Sequence, residues 1–124
     1  IISNKDLFDW TLSTLSNSIS LGKLNNFGKI HTGIIATGDK FVSNKEDLNH
    51  LQNDFENLLA VEMEGAAVGQ VAMQEGIPFQ VIRVISDETN ESSHEDFNLF
   101  LSKYCNSSAE IIVELIKNIN NKDF

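Results

Sequence analysis

Apolar positions in this chain follow two periods, one helical and one extended. Leu7, Phe8, Leu12, Leu15 and Ile19 recur at helical spacing behind the capping pattern Ser3-x-x-Asp6. That predicts a one-faced helix over residues 3–21, ended by Gly22. Residues 29–41, KIHTGIIATGDKF, are mostly β-branched or small. They predict a strand from Lys29 to Ala36 and a turn at Gly38-Asp39. Ser43-x-x-Glu46 then opens a second helix carrying Leu48, Leu51 and Phe55. Residues 58–63 predict the next strand, and Ala66, Ala67, Val71 and Ala72 a small-residue helix closing at Gly76. A third strand is expected over residues 79–86, FQVIRVIS, before the polar stretch 87–93. Ser93-x-x-Asp96 caps a last long helix with Phe97, Leu101, Tyr104, Ser108, Ile111, Leu115 and Ile119 on one face.

Strands separated by helices spell an α/β fold with a largely parallel or mixed central sheet flanked by helices. Residues 1–124 read as a single α/β unit without an internal repeat or linker. Three strands are thin for a self-sufficient sheet, and the first residue is Ile1 rather than Met. The expectation is therefore the carboxyl-terminal half of a larger domain. Eighteen acids against nine bases leave a net charge of −9. Such a surface repels phosphate backbones and anionic lipid, which argues against nucleic acid and membrane as partners. A lone Cys105 forms no internal disulfide, and no charged-then-apolar signal opens the chain, so the expected location is cytoplasmic.

The candidate chemistry lies at the strand ends, where open α/β sheets bind their ligands. Glu62 and Glu64 are two apart on a strand and point to one side. An acid at such a junction can simply favour the following helix N-terminus, and for Glu62 that reading weighs as much as a functional one. Glu64 also suits ribose hydroxyls, since a carboxylate offers two acceptor oxygens. Asp87 ends an alternating β-branched run; a neighbouring carboxylate and desolvation would raise its pKa toward that of a general acid, with Ser86 placed to orient it. The alternative for Asp87 is a loop cap bonded to backbone. His31, His50 and His94 lack a partnered arrangement, no metal-ligand spacing is present, and neither GxGxxG nor a Walker-type loop occurs. No metal and no cofactor is expected.

The segments IATGDKF, AVEMEGAA, IRVISD and SSHEDFNLFL, in this order, resemble the carboxyl-terminal half of the 5′-methylthioadenosine/S-adenosylhomocysteine nucleosidases, members of the purine nucleoside phosphorylase superfamily. The likeness runs from about Ile30 to Leu115. It implies hydrolysis of the N-glycosidic bond of adenine nucleosides by a homodimeric enzyme. By that resemblance Asp87 protonates the leaving adenine with Ser86 beside it, and Glu64 holds the ribose hydroxyls. Met63 packs on the sugar, Phe41 stacks on the base, and the main chain of Val42 reads the base edge. Phe97 walls the 5′-alkylthio pocket, and Glu62 and Arg83 support the site. The family places the water-activating glutamate in its amino-terminal half, so these 124 residues alone are expected to be inactive. Three alternatives stay open: a purine nucleoside phosphorylase, a hydrolase of aminodeoxyfutalosine-like nucleosides, and a non-catalytic nucleoside-binding chain.

Overall fold

The computed structural model describes residues 1–85, 98–102, 109–120 and 122–124. The elements are α1 (Lys5–Ser20), β1 (Ile34–Thr37), α2 (Lys45–Asp54), β2 (Leu58–Glu62), α3 (Gly65–Gln74) and α4 (Glu110–Asn118). They fall into two compact units, with α3 contributing residues to both.

The first unit comprises Ile1–Ile30, Gly69–Ile82 and Asn106–Phe124. Here α1 begins one residue later than the capping box suggests. Asn4, not Ser3, is the N-cap, and its side chain accepts the Leu7 N–H at 2.9 Å. The buried line of α1 is Thr11, Leu15 and Ser18, so a helix read from its large apolar residues turns its polar neighbours inward. Gly22 sits at φ +73°, with Gly22 N–H donating to Ile19 O and Lys23 N–H to Ser18 O, both at 3.0 Å. That is a Schellman end, which needs the left-handed conformation that glycine adopts at little cost. Against α1 packs α4, whose one buried residue is Glu114. Among the described residues of this unit the buried hydrophobic ones are Leu15 and Leu24, joined by Thr11, Ser18 and Glu114.

The second unit comprises His31–Val68 and Arg83–Cys105. Its centre is a β1–α2–β2 crossover, the connection that parallel strands require. The strands pair in parallel with Thr37 opposite Glu62, and the ladder slips once between Ile34 and Ile35. Ile34 N–H donates to Asn57 O at 3.1 Å, and Gly38 N–H to Glu62 O at 3.0 Å, which extends the pairing ahead of β2 and past the end of β1. Gly33 allows a close approach: a Cβ there would lie 2.6 Å from Leu59 Cδ1 and 2.9 Å from Asn57 O. Asn44, again one residue after the expected Ser43, caps α2 by accepting the Asp47 N–H at 2.8 Å.

Several expectations need correction. Strand β1 is only Ile34–Thr37, because β2 begins opposite Ile34 and residues 29–33 meet no ladder partner among the described residues. Strand β2 stops at Glu62, leaving Met63 and Glu64 in the bend before α3. Residues 79–85 form no strand; β-branched alternation makes a segment compatible with a sheet, but a hydrogen-bonded neighbour decides. Of the expected last helix, residues 98–102 and Glu110–Asn118 are helical and Ala109 is in a turn, while residues 93–97 and 103–108 lie outside the described residues. The parallel sheet with helices around it is the expected α/β class.

Candidate functional site

The site is built where β1 and β2 end and α3 begins. Thr37 and Glu62 are ladder partners, so their side chains emerge side by side at the carboxyl ends of the strands. The chain then bends through Met63 and Glu64 into Gly65, the first residue of α3. Gly65 is required by crowding rather than by its backbone angles, since a Cβ would lie 2.9 Å from Glu62 Oε1.

Glu62 is 7% exposed at its side chain and is surrounded by donors. Its Oε1 accepts from Thr37 Oγ1 and from Gly65 N–H at 2.9 Å. Its Oε2 accepts from Gly65 N–H at 2.7 Å, from Glu64 N–H at 3.1 Å and from Arg83 Nη2. Burial pushes the Glu62 pKa up, but the hydrogen bonds of Thr37, Arg83 and the Gly65 and Glu64 amides outweigh it and hold the carboxyl at about 2. A carboxylate so acidic and so fully engaged is a poor proton acceptor near neutral pH. Its work is to cap α3 and to anchor Arg83.

Arg83 Nη2 also donates to Glu64 Oε2 at 2.6 Å, so one guanidinium nitrogen bridges both carboxylates. Glu64 lies past the end of β2, so the two acids are not paired on one strand face as expected; Arg83 joins them instead. The helix-terminus reading holds for Glu62. Glu64, whose side chain is 69% exposed, turns to Arg83 instead. The hydrogen bonds that Arg83 donates to Glu62, the larger cause, and to Glu64 raise its pKa, with burial opposing, and keep the cation charged.

Beside this cluster lies a cleft of about 400 Å³. Phe41, Val42, Glu62, Met63 and Arg83 line it, together with the aliphatic wall of β2 and Val84–Ile85. Five of the nine nominated residues therefore meet in one cavity, and Glu64 is tied to it through Arg83. Phe41 and Met63, 40% and 44% exposed, present apolar surface of the kind a flat base and a sugar would cover. Ser86, Asp87 and Phe97 lie outside the described residues, as do His94 and Cys105. Among the described residues no three His, Cys, Asp or Glu side chains come together as a metal site, and no helix is long and apolar enough to cross a membrane.

The residue that sequence reading passed over is Thr37. Its Oγ1 donates to Glu62 and accepts the Ala66 N–H at 3.0 Å. The available signal was its place just before the Gly38-Asp39 turn, at the end of a strand expected to run beside the one carrying Glu62.

Residues 5–117 match the model of the phosphorylase superfamily. A 5′-methylthioadenosine/S-adenosylhomocysteine nucleosidase from Bacillus licheniformis is 43% identical over 88 residues, covering 71% of this chain and 38% of that protein. The nucleosidase of the same name from Neisseria meningitidis, solved in complex with methylthio-immucillin-A, superposes with a TM-score of 0.77 at 29% identity, over 93% of this chain and 47% of its own. Futalosine hydrolase from Helicobacter pylori superposes with a TM-score of 0.78 at 31% identity, over 94% of this chain and 46% of its own. The chain thus spans less than half the length of these relatives. With a matching family model over most of its residues and the expected fold around the strand-end cleft, the chain belongs to the phosphorylase superfamily.

Proposed function

We propose that the natural polypeptide carrying these residues hydrolyses the N-glycosidic bond of adenine nucleosides such as 5′-methylthioadenosine and S-adenosylhomocysteine. The observation that carries this reading is the cleft in which Phe41, Val42 and Met63 stand beside the Arg83-bridged Glu62 and Glu64, in a chain 43% identical over 88 residues to a 5′-methylthioadenosine/S-adenosylhomocysteine nucleosidase. The base lies against Phe41 with its edge toward the Val42 main chain. The ribose sits over Met63 with its hydroxyls on Glu64, and Phe97 walls the 5′ substituent.

In the proposed reaction Asp87, oriented by Ser86, gives a proton to the purine. The C1′–N9 bond breaks with its electron pair leaving on adenine, which departs neutral. Water supplies oxygen to C1′ and releases a proton. Carboxylate charge near the sugar stabilises the cationic transition state, the kind of preorganised electrostatic term that dominates such steps. We place residues 1–124 within one nucleosidase domain, the remainder of which supplies the water-activating acid. On the same reading the enzyme is a cytoplasmic homodimer acting in methionine salvage.

The test is adenine release from 5′-methylthioadenosine by the full polypeptide, with and without phosphate. Release independent of phosphate, with free methylthioribose as co-product, supports hydrolysis. Phosphate-dependent release assigns a phosphorylase. The likeness to futalosine hydrolase favours a second substrate, and turnover of aminodeoxyfutalosine in preference to methylthioadenosine would shift the assignment to it.

A further inference from the structure

Thr37 is at the end of β1, and its hydroxyl has both of its hydrogen-bonding roles filled. It accepts from Ala66 N–H at 3.0 Å, which leaves its own proton directed at Glu62 Oε1. The strands do not need this bond to pair, because the backbone ladder joins Thr37 to Glu62 already. Nor does the start of α3 depend on it alone, since Glu62 caps the Gly65 N–H. What the hydroxyl adds is the side-chain donor to Oε1, whose other donor is the Gly65 amide. Without it that oxygen keeps the amide alone, and the angle of the carboxylate is set by the Gly65 and Glu64 amides and by Arg83. Oε2, which Arg83 grips, shifts with that balance. Arg83 in turn is the bonded partner of Glu64 Oε2 at 2.6 Å.

We infer that Thr37 is a positioning residue: through Glu62 it fixes Arg83, and through Arg83 it fixes Glu64, the carboxylate proposed to meet the ribose. The inference rests on the nucleosidase reading and deepens it. A relay of this length works because each link is charge-assisted and directional, so a displacement at one end is passed on rather than absorbed. Thr37 is not among the residues that line the cleft; its effect is on the aim of other groups.

The experiment compares Thr37→Val and Thr37→Ser with the parent in the full polypeptide. Valine keeps the shape and removes the hydroxyl, while serine keeps the hydroxyl. For valine, kcat/KM on 5′-methylthioadenosine should fall roughly 10- to 100-fold, the loss expected for a hydrogen bond to a charged group. Preference for the substrate over its 2′-deoxy analogue should shrink in step, because Glu64 is what reads that hydroxyl. Serine should return both to near the parent values. In a Glu62→Gln background the valine change should add little, since the relay is already broken. Should the valine chain not fold, Thr37→Ala repeats the comparison without placing a methyl against the Ala66 amide.

A valine chain with parental kcat/KM and parental analogue preference overturns the inference. So does a loss that serine fails to restore, or one that is equally large in the Glu62→Gln background, because either makes Thr37 a packing residue. A parent that releases no adenine overturns the nucleosidase reading itself, an outcome distinct from an active parent indifferent to Thr37.

Discussion

Two glutamates of this chain are buried in the same chemical company and put to different use. Glu62 takes hydrogen bonds from a hydroxyl, Thr37, and a cation, Arg83. Glu114 takes them from Ser18 at 2.8 Å and from Lys23 at 2.9 Å. In both, the carboxyl is held below its ordinary pKa, for Glu114 by Lys23 first and Ser18 next. The difference lies in where the network ends. Around Glu114 it closes on itself: Asn118, one turn further along α4, donates to the Glu114 main-chain oxygen at 2.7 Å, and every partner belongs to the α1 end or to α4. Around Glu62 it stays open, because Arg83 reaches on to Glu64 and both Glu62 and Arg83 face a cleft. A buried acid with a hydroxyl and a cation is thus a structural lock when its network stays within one pair of packed helices, and part of a site when one partner reaches on to a cleft.

The largest expected effect is at Asp87, the acid that protonates the purine in the proposed mechanism. Asp87→Asn should lower kcat on 5′-methylthioadenosine by about 10²–10⁴-fold, the usual contribution of a general acid, with an unchanged melting temperature. Near-parental turnover would make Asp87 a loop cap. Next comes Glu64→Gln, which should cost about 1.5–3 kcal/mol of transition-state stabilisation, as expected for a lost charge-assisted hydrogen bond. Measured with 2′- and 3′-deoxy analogues, the mutant should discriminate against them less than the parent does; equal discrimination would remove Glu64 from the sugar.

Two glycines of α3 separate the networks at a smaller scale. A methyl added at Gly65 would lie 2.9 Å from Glu62 Oε1, whereas one at Gly69 would lie 2.8 Å from the Phe79 ring. Overpacking of this kind costs about 1–3 kcal/mol. Gly65→Ala should spend that cost on activity by displacing Glu62. Gly69→Ala should spend it on melting temperature, with kcat retained. Reversal of that pattern in paired kinetic and thermal measurements would contradict the division drawn above.

A further effect is on acid stability. Glu62 has a folded-state pKa of about 2 against an ordinary 4.5. The unfolded chain therefore binds the proton more readily, and stability rises with pH across that interval. The contribution is complete above 4.5 and is lost as pH falls through about 2. Glu62→Gln should flatten the stability–pH curve in that window. A parental slope in the mutant would mean the carboxylate is less firmly held than its donors imply.

Much of this was legible in the sequence because it depends on local pattern. The order of elements from α1 to α3, the glycine ends at Gly22 and Gly76, and the placement of Glu62, Met63 and Glu64 at a strand-to-helix junction all follow from neighbours in the chain. The helix starts were off by one residue because Asn4 and Asn44 compete with the adjacent serines for the same capping role and win it. What escaped depends on partners distant in sequence. Glu114 sits between Ile111 and Leu115, so its helix face reads as apolar, and its partners Ser18 and Lys23 are 96 and 91 residues away. Thr37 is separated from Glu62 by 25 residues and becomes visible through the strand register. The stretch 79–85 reads as a strand from its side chains, yet strand formation needs a neighbour that composition does not reveal.

The most direct test of the contrast between the two acids is one paired experiment on the full polypeptide: Glu62→Gln and Glu114→Gln, each followed by adenine release from 5′-methylthioadenosine and by thermal unfolding. Glu62→Gln should lower kcat/KM by roughly 10-fold or more, the effect of one weakened charge-assisted contact passed on to Arg83 and Glu64. Glu114→Gln should lower the melting temperature and leave kcat/KM at the parental value below the transition. Equal loss of activity in both variants, or an active Glu62→Gln enzyme beside an inactive but folded Glu114→Gln one, would contradict the account.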